Sequence, residues 1–268
     1  MIGPSAGTEP LLRRLETHSE ISLPDRMALQ ALPLQAKSLP PGRCFAWDGE
    51  PSHSVTVLLS GWACTYKMLG DGSRQVLAYH LPGDLPDLHA ADLGQLDGCI
   101  STLTACTFGV LPLEELRAVA AGSPGIDRLL RRELQVQASL SRAWLANVGQ
   151  RPGPRRAAHF LCETYERLAA LDMARDGRMR VPVSQGELAD ALGMTGVHVN
   201  RVIQELRGQG LVEWRRQEVV LPDRAALALL AGYDGSHLHL RTAPPPQRPL
   251  PDFDADEEKR PHLRLVAV

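Results

Sequence analysis

No stretch of this 268-residue chain is long and apolar enough to cross a bilayer, and its opening MIGPSAGTEPLLRRLE lacks the basic start and unbroken apolar core of a signal peptide. A cytoplasmic protein with no membrane partner is expected. The five cysteines (Cys44, Cys64, Cys99, Cys106, Cys162) form no CxxC pair, which argues against a structural zinc or disulfide frame and for small buried hydrophobes. None precedes Cys44, so an iron–sulfur cluster held by closely spaced N-terminal thiolates is not expected. GxSxG, the P-loop and GxGxxG are missing, and His53, His80 and His89 form no His-x-His pair with a following glutamate. Haem has no supporting motif either. The chain is therefore expected not to be an enzyme and to need no cofactor; a cupin-like metal-dependent enzyme and a protein-binding adaptor stand as the rival readings.

What is present is a soluble composition, 44% hydrophobic and 22% charged, in a chain long enough for two modest domains. The net charge of −2 hides an uneven distribution, for residues 150–232 hold twelve arginines and no lysine against ten acidic residues. Arginine's planar fork suits phosphates and guanine edges. From about 40 to 112, the turns Pro41-Gly42, Asp48-Gly49, Asp71-Gly72, Pro82-Gly83 and Asp97-Gly98 separate short β-branched stretches. That punctuation predicts an antiparallel barrel or sandwich, with Asp71-Gly72 as its clearest hairpin. Pro112 closes the last strand, and LEELRAVAA reads as a short helix ending at Gly122-Ser123-Pro124. Residues 126–148, free of Gly and Pro, predict a long amphipathic helix whose stripe runs through Ile126, Leu129, Leu130, Leu134, Leu140, Trp144, Leu145 and Val148. The stripe can pack on the barrel or pair with a second copy; its length and terminal aromatic favour pairing, with Leu130, Leu134 and Trp144 as dimerisation residues.

After the hinge-like GQRPGPRR, a helix over AAHFLCETYERLAAL and a strand over RMRVPV, ending at Val183, are expected. Ser184 and Glu187 then form an S-x-x-E capping box, Gly193-Met194 a tight turn, and Thr195 the N-cap of a second helix. One face of that helix carries Val199, Val202, Ile203 and Leu206; the other presents Val197, Asn200, Arg201 and Gln204, flanked by His198. A hairpin over LVEWRRQEVVLP and a helix over DRAALALLAGY complete a winged helix-turn-helix, whose second helix lies in the major groove. There Arg201 can pair with guanine, Asn200 or Gln204 with adenine, and Val197 can touch a thymine methyl. Ser184, Thr195, His198 and Arg215 complete the candidate DNA contacts, His198 being either a phosphate contact or, equally, a satisfied and partly buried histidine. Beyond Asp234 the chain is Pro-rich and charged, and disorder is expected.

The block PGRCFAWDGEPSHSVTVLLSGWACTYKMLGDGSRQVLAYHLPGD, the long helix and VPVSQGELADALGMTGVHVNRVIQELRGQGLVEW resemble the CRP/FNR family of bacterial transcription regulators over about residues 20 to 232. The resemblance implies an α+β fold of a cupin-like antiparallel β-roll (21–122), a dimerisation helix (123–149) and a winged helix-turn-helix (150–232), flanked by an N-terminal segment (1–20) and the tail (233–268) whose composition predicts disorder. It also implies a homodimer on an inverted repeat in double-stranded DNA, with RNA polymerase as a further partner. Arg201 falls where the family places its guanine-reading arginine and Asn200 where a second base contact is common. Val197 replaces a glutamate that many members use for cytosine, and Gly196 stands where an arginine often sits. Cyclic-nucleotide members hold ribose and phosphate with a Gly-Glu and an Arg-Ser/Thr pair. This chain has no arginine between Arg74 and Arg117, so cyclic AMP or GMP is not expected and the small-molecule effector stays unnamed.

Overall fold

The computed structural model describes residues 7–241. Two short helices, α1 (Glu9–Glu16) and α2 (Leu23–Gln30), lead into the strands. Seven strands follow: β1 (Gln35–Leu39), β2 (Cys44–Ala46), β3 (Ser54–Ser60), β4 (Ala63–Met68), β5 (Arg74–His80), β6 (Cys99–Thr102) and β7 (Cys106–Pro112). They pair antiparallel in two sheets, ordered β1-β7-β3 and β2-β6-β4-β5. A one-turn helix, α3 (Ala90–Leu93), sits between β5 and β6. The β4–β5 hairpin turns at Asp71-Gly72 as its sequence predicts: Gly72 takes φ +85°, open to glycine, while the Asp71 carboxylate accepts hydrogen bonds from the Ser73 amide (2.9 Å) and hydroxyl (2.6 Å). The expected all-β block is a β-roll. Its core joins Val55, Val57 and Leu111 to Leu11, Leu12 and Leu15 of α1, which pack onto it.

Pro112 hands over to α4 (Leu113–Gly122), and Ser123, accepting from the amides of Gly125 and Ile126, caps α5 (Pro124–Gln150). The long helix forms as its lack of interior Gly and Pro predicts, but its apolar stripe does not stay on one surface. Leu130 is buried in the chain's own β-roll core. Trp144 is only 8% exposed because α6 (Gly153–Ala169) folds back over it, so neither residue is free to anchor a partner helix. Their place as dimerisation residues is thus corrected, since a helical period marks an apolar stripe but not which surface covers it. Leu134 is half-buried; Ala138, Ser141 and Leu145 are exposed, Leu145 by 75%.

The remaining elements are β8 (Arg178–Arg180), α7 (Gln185–Leu192), α8 (Gly196–Gly208), β9 (Glu213–Arg215), β10 (Glu218–Val220) and α9 (Arg224–Ala231). β8 stops short of Val183 because Pro182 has no N–H to donate. It pairs with β10, so the expected two-stranded hairpin is a three-stranded sheet ordered β8-β10-β9. Phe160, Leu161, Leu188, Leu192, Val199, Val202 and Leu206 share one core; truncating a fully buried leucine such as Leu206 to alanine costs about 2–5 kcal/mol.

Disorder from residue 233 is likewise corrected, because the chain is folded through Arg241. Leu238 is buried in a 3-10 turn (Ser236–Leu238), the Tyr233 hydroxyl donates to Glu166 (2.9 Å), His239 bonds Ser139 (3.1 Å), and the Arg241 amide donates to the Thr17 carbonyl (2.8 Å). The rest of the expected tail, 242–268, lies outside the described residues. Among those residues, no helix is long and apolar enough to cross a membrane.

Candidate nucleic-acid interface

The position of α8 is set by three local devices. Ser184 and Glu187 satisfy each other's orphan amides, the Ser184 hydroxyl accepting from the Glu187 amide (3.2 Å) and the Glu187 carboxylate from the Ser184 amide (2.7 Å). Gly193 ends α7 in the left-handed region (φ +60°), and the Arg156 guanidinium donates to the carbonyls of Leu192 and Gly193 that this end leaves open. Thr195 then caps α8 by accepting from the His198 amide at 3.3 Å. Both capping hydroxyls, of Ser184 and Thr195, retain their own O–H for a phosphate oxygen.

Along the thirteen residues of α8, Val199, Val202 and Leu206 are buried and Ile203 half-buried. The opposite face presents Val197, 74% exposed, with Asn200, Arg201 and Gln204. Among the described residues, none of these three polar side chains has a hydrogen-bond or ion-pair partner in the chain. The helix is about 20 Å long at 1.5 Å per residue, and a major groove about 12 Å wide admits it.

A groove of about 280 Å³ runs between α7, α8 and the wing, lined by Ser184, Gln185, Asn200, Gln204, Arg207 and Arg216. The sequence reading missed Gln185, Arg207 and Arg216. Arg216 takes φ +56° at the two-residue β9–β10 turn, where the Trp214 indole donates to its carbonyl at 3.1 Å, and its guanidinium projects from the wing beside exposed Arg215. The doubled arginine at a tight turn was the signal that could have found it. Arg207 donates to the Trp214 carbonyl, tying wing to helix. His198 is exposed, but its ring lies over Gly153 at the start of α6, where an added Cβ would sit 2.6 Å from its Nε2. It thus flanks the Arg201 face on the side nearest α6.

A second region, a cleft of about 410 Å³, opens between β5 and α5. It contains two guanidiniums that scanning the β-roll loop alone could not find. Arg14 of α1 pairs with Asp84 (2.8 Å) and Glu133 (3.1 Å), and Arg167 of α6 with Asp84 (2.7 Å). Burial opposes ionisation of Asp84, but Arg14 and Arg167 outweigh it and hold the carboxyl below its ordinary range. Burial pushes His80 down to about 4 while its Nε2 meets the Thr65 hydroxyl at 2.7 Å, and His89 pairs with Asp97 at 2.9 Å. Among the described residues, the one group of three metal-ligating side chains that converges, His159, Glu163 and His237, lies outside the β-roll.

A helix-turn-helix with a sheet wing and unpartnered polar groups along its second helix defines a DNA-binding protein of the winged-helix class. Comparison with known proteins narrows the class. Residues 155–230 match the Crp-like helix-turn-helix domain and residues 36–123 the cyclic nucleotide-binding domain. The nitrogen fixation regulation protein FixK of Bradyrhizobium diazoefficiens is 31% identical over 179 residues, spanning 65% of this chain and 72% of that one. The transcriptional activator protein FnrA of Stutzerimonas stutzeri is 24% identical over 212 residues, 79% of this chain and 86% of that one. The solved structure of FixK2 from Bradyrhizobium japonicum superposes with a TM-score of 0.68 at 25% identity, covering 74% of this chain and 98% of that one. This chain belongs to the CRP/FNR family of transcription regulators.

Proposed function

We propose that this regulator acts in the cytoplasm as a homodimer that reads an inverted repeat in double-stranded DNA and contacts RNA polymerase from there. The observation that carries the reading is the outer face of α8, whose guanidinium and two amides are oriented outward and unpaired within the chain. Arg201 gives a bidentate pair to guanine O6 and N7, Asn200 and Gln204 address adenine, Val197 meets a thymine methyl, and Ser184, Thr195, Arg215 and Arg216 hold phosphates. Two-fold symmetry sets the half-sites about 34–36 Å apart, one helical turn, or a multiple of it.

Dimerisation is proposed through the face of α5 that exposes Ala138, Ser141 and Leu145, bounded by Leu134 and Val148, both half-buried against the chain's own cores, with the five recurring at alternating steps of four and three residues. That is the spacing of a coiled-coil seam, and the half-buried Leu134 is its inner end. An anionic cyclic nucleotide in the β-roll cleft would have to displace Asp84 or Glu133 from Arg14 and Arg167, so the cleft is not read as a cyclic-nucleotide site.

Selecting bound duplexes from a random pool tests the reading. A two-fold symmetric consensus is expected, with affinity falling steeply with salt; failure to enrich any sequence at low salt would overturn it. Leu145→Glu is expected to yield monomers in sedimentation, and an intact dimer would overturn the α5 seam.

A further inference from the structure

Behind the cleft wall formed by Trp144 and Arg167, His159 and Glu163 stand four residues apart on one face of α6, and His237 of the folded C-terminal segment meets them. One ligating atom from each lies within 4.8 Å of the others. His237 Nε2 is 3.0 Å from a Glu163 carboxylate oxygen, and the rings of His159 and His237 stack with centroids 5.4 Å apart. Glu163 is buried and His159 only 3% exposed, yet His159 Nδ1 has no hydrogen-bond partner. A buried donor or acceptor left unmade opposes folding unless something else fills its valence.

We propose that His159, Glu163 and His237 bind one divalent transition-metal ion of the zinc class. Two imidazoles exclude magnesium and calcium, which prefer all-oxygen sets, whereas two histidines and one glutamate form the three-ligand arrangement in which zinc keeps a fourth position for water. The surroundings are built for such a site. The Trp144 indole donates to the other Glu163 oxygen at 2.9 Å, which fixes the carboxylate's orientation. Arg167, 4.0 Å from that same oxygen, is already paired with Asp84. The ion would join three parts of the chain: the C-terminal segment through His237, α6 through its two ligands, and α5 through Trp144. The joint between long helix and DNA-binding domain would thereby be fastened.

The site is tested on the full-length protein, stripped with a chelator and titrated with Co²⁺ in the absence of DNA, so the outcome is independent of operator binding. Expected are one Co²⁺ per chain, visible d–d absorption of a four-coordinate nitrogen and oxygen site without a thiolate charge-transfer band, displacement by Zn²⁺, and a raised thermal midpoint with Zn²⁺. His237→Ala, at the partly exposed edge of the cluster, should remain folded and bind Co²⁺ at least tenfold more weakly; His159→Gln should do the same. Folded wild type that takes up no stoichiometric Co²⁺ or Zn²⁺ overturns the site. So does a thiolate band, or His237→Ala binding as wild type, whether or not His159→Gln folds.

Discussion

The molecule carries arginine in two chemically opposite settings. In the β-roll cleft, Arg14 and Arg167 are sequestered against Asp84 and Glu133, and every strong charge there has its partner within the chain. Along α8 and the wing, Arg201, Arg215 and Arg216 stand exposed with no carboxylate on them among the described residues. The difference teaches how to separate structural from recognising guanidiniums. A buried one requires its counter-charge from the same chain to offset desolvation, whereas one that reads another molecule has to be left without an internal partner.

Substitutions test that contrast from both sides. The largest effect is expected from Arg14→Ala, which leaves buried Glu133 without its guanidinium and Asp84 with Arg167 alone. A loss of about 3–5 kcal/mol in urea unfolding is expected, with base preference unchanged once the protein is folded. Stability equal to wild type would break the distinction. Arg201→Ala should leave unfolding within about 0.5 kcal/mol of wild type, as a surface change does, but remove about 1–3 kcal/mol of discrimination at one base pair per half-site. Equal weakening on every sequence would instead reassign Arg201 to a phosphate. Arg216→Ala should show that uniform weakening, with the slope of log affinity against log salt shallower by about one.

A smaller, pH-dependent effect sharpens the contrast. Burial lowers His18 to about 3 and His80 to about 4 in the folded chain, against 6.5 when unfolded. The unfolded chain therefore takes up these protons first, and the stability the neutral histidines contribute is fully present above about 6.5 and lost as the pH falls toward 4. Asp87, raised by burial to about 6, works the other way over part of the same window, because the folded chain takes up its proton first. Burial lowers His159 to about 4 as well, so three histidines against Asp87 predict a lower urea midpoint at pH 5 than at pH 7.5, and an unchanged midpoint would contradict it.

Much of the fold can be read from turn and cap chemistry. Asp71-Gly72 and the Ser184-Glu187 pair act over three or four residues, so their geometry is written locally. The outer face of α8 is legible for the same reason, since helical period alone separates Val199, Val202 and Leu206 from Asn200, Arg201 and Gln204. What sequence reasoning missed is long-range. Arg14 meets Glu133 across 119 residues, and no spacing rule predicts that an N-terminal helix delivers a guanidinium to the cleft. Trp144 was misplaced because its apolar stripe has two claimants, and α6 folding back decides between them. The ordered segment through Arg241 was overlooked by weighing the Pro-rich run as one block. Yet SHLHLR, before the prolines, alternates buried Leu238 and half-buried Leu240 with histidines that bond.

The placement of Trp144 has a practical consequence. Its indole lies between Tyr79 of β5 and Phe160 of α6, at 6.5 and 6.2 Å between ring centroids, while belonging to α5 itself. Any rotation of the DNA-binding half about the long helix must alter the polarity and quenching around this one chromophore. The protein thus carries its own fluorescent gauge of that motion, and a variant retaining only this tryptophan would report it without an attached dye.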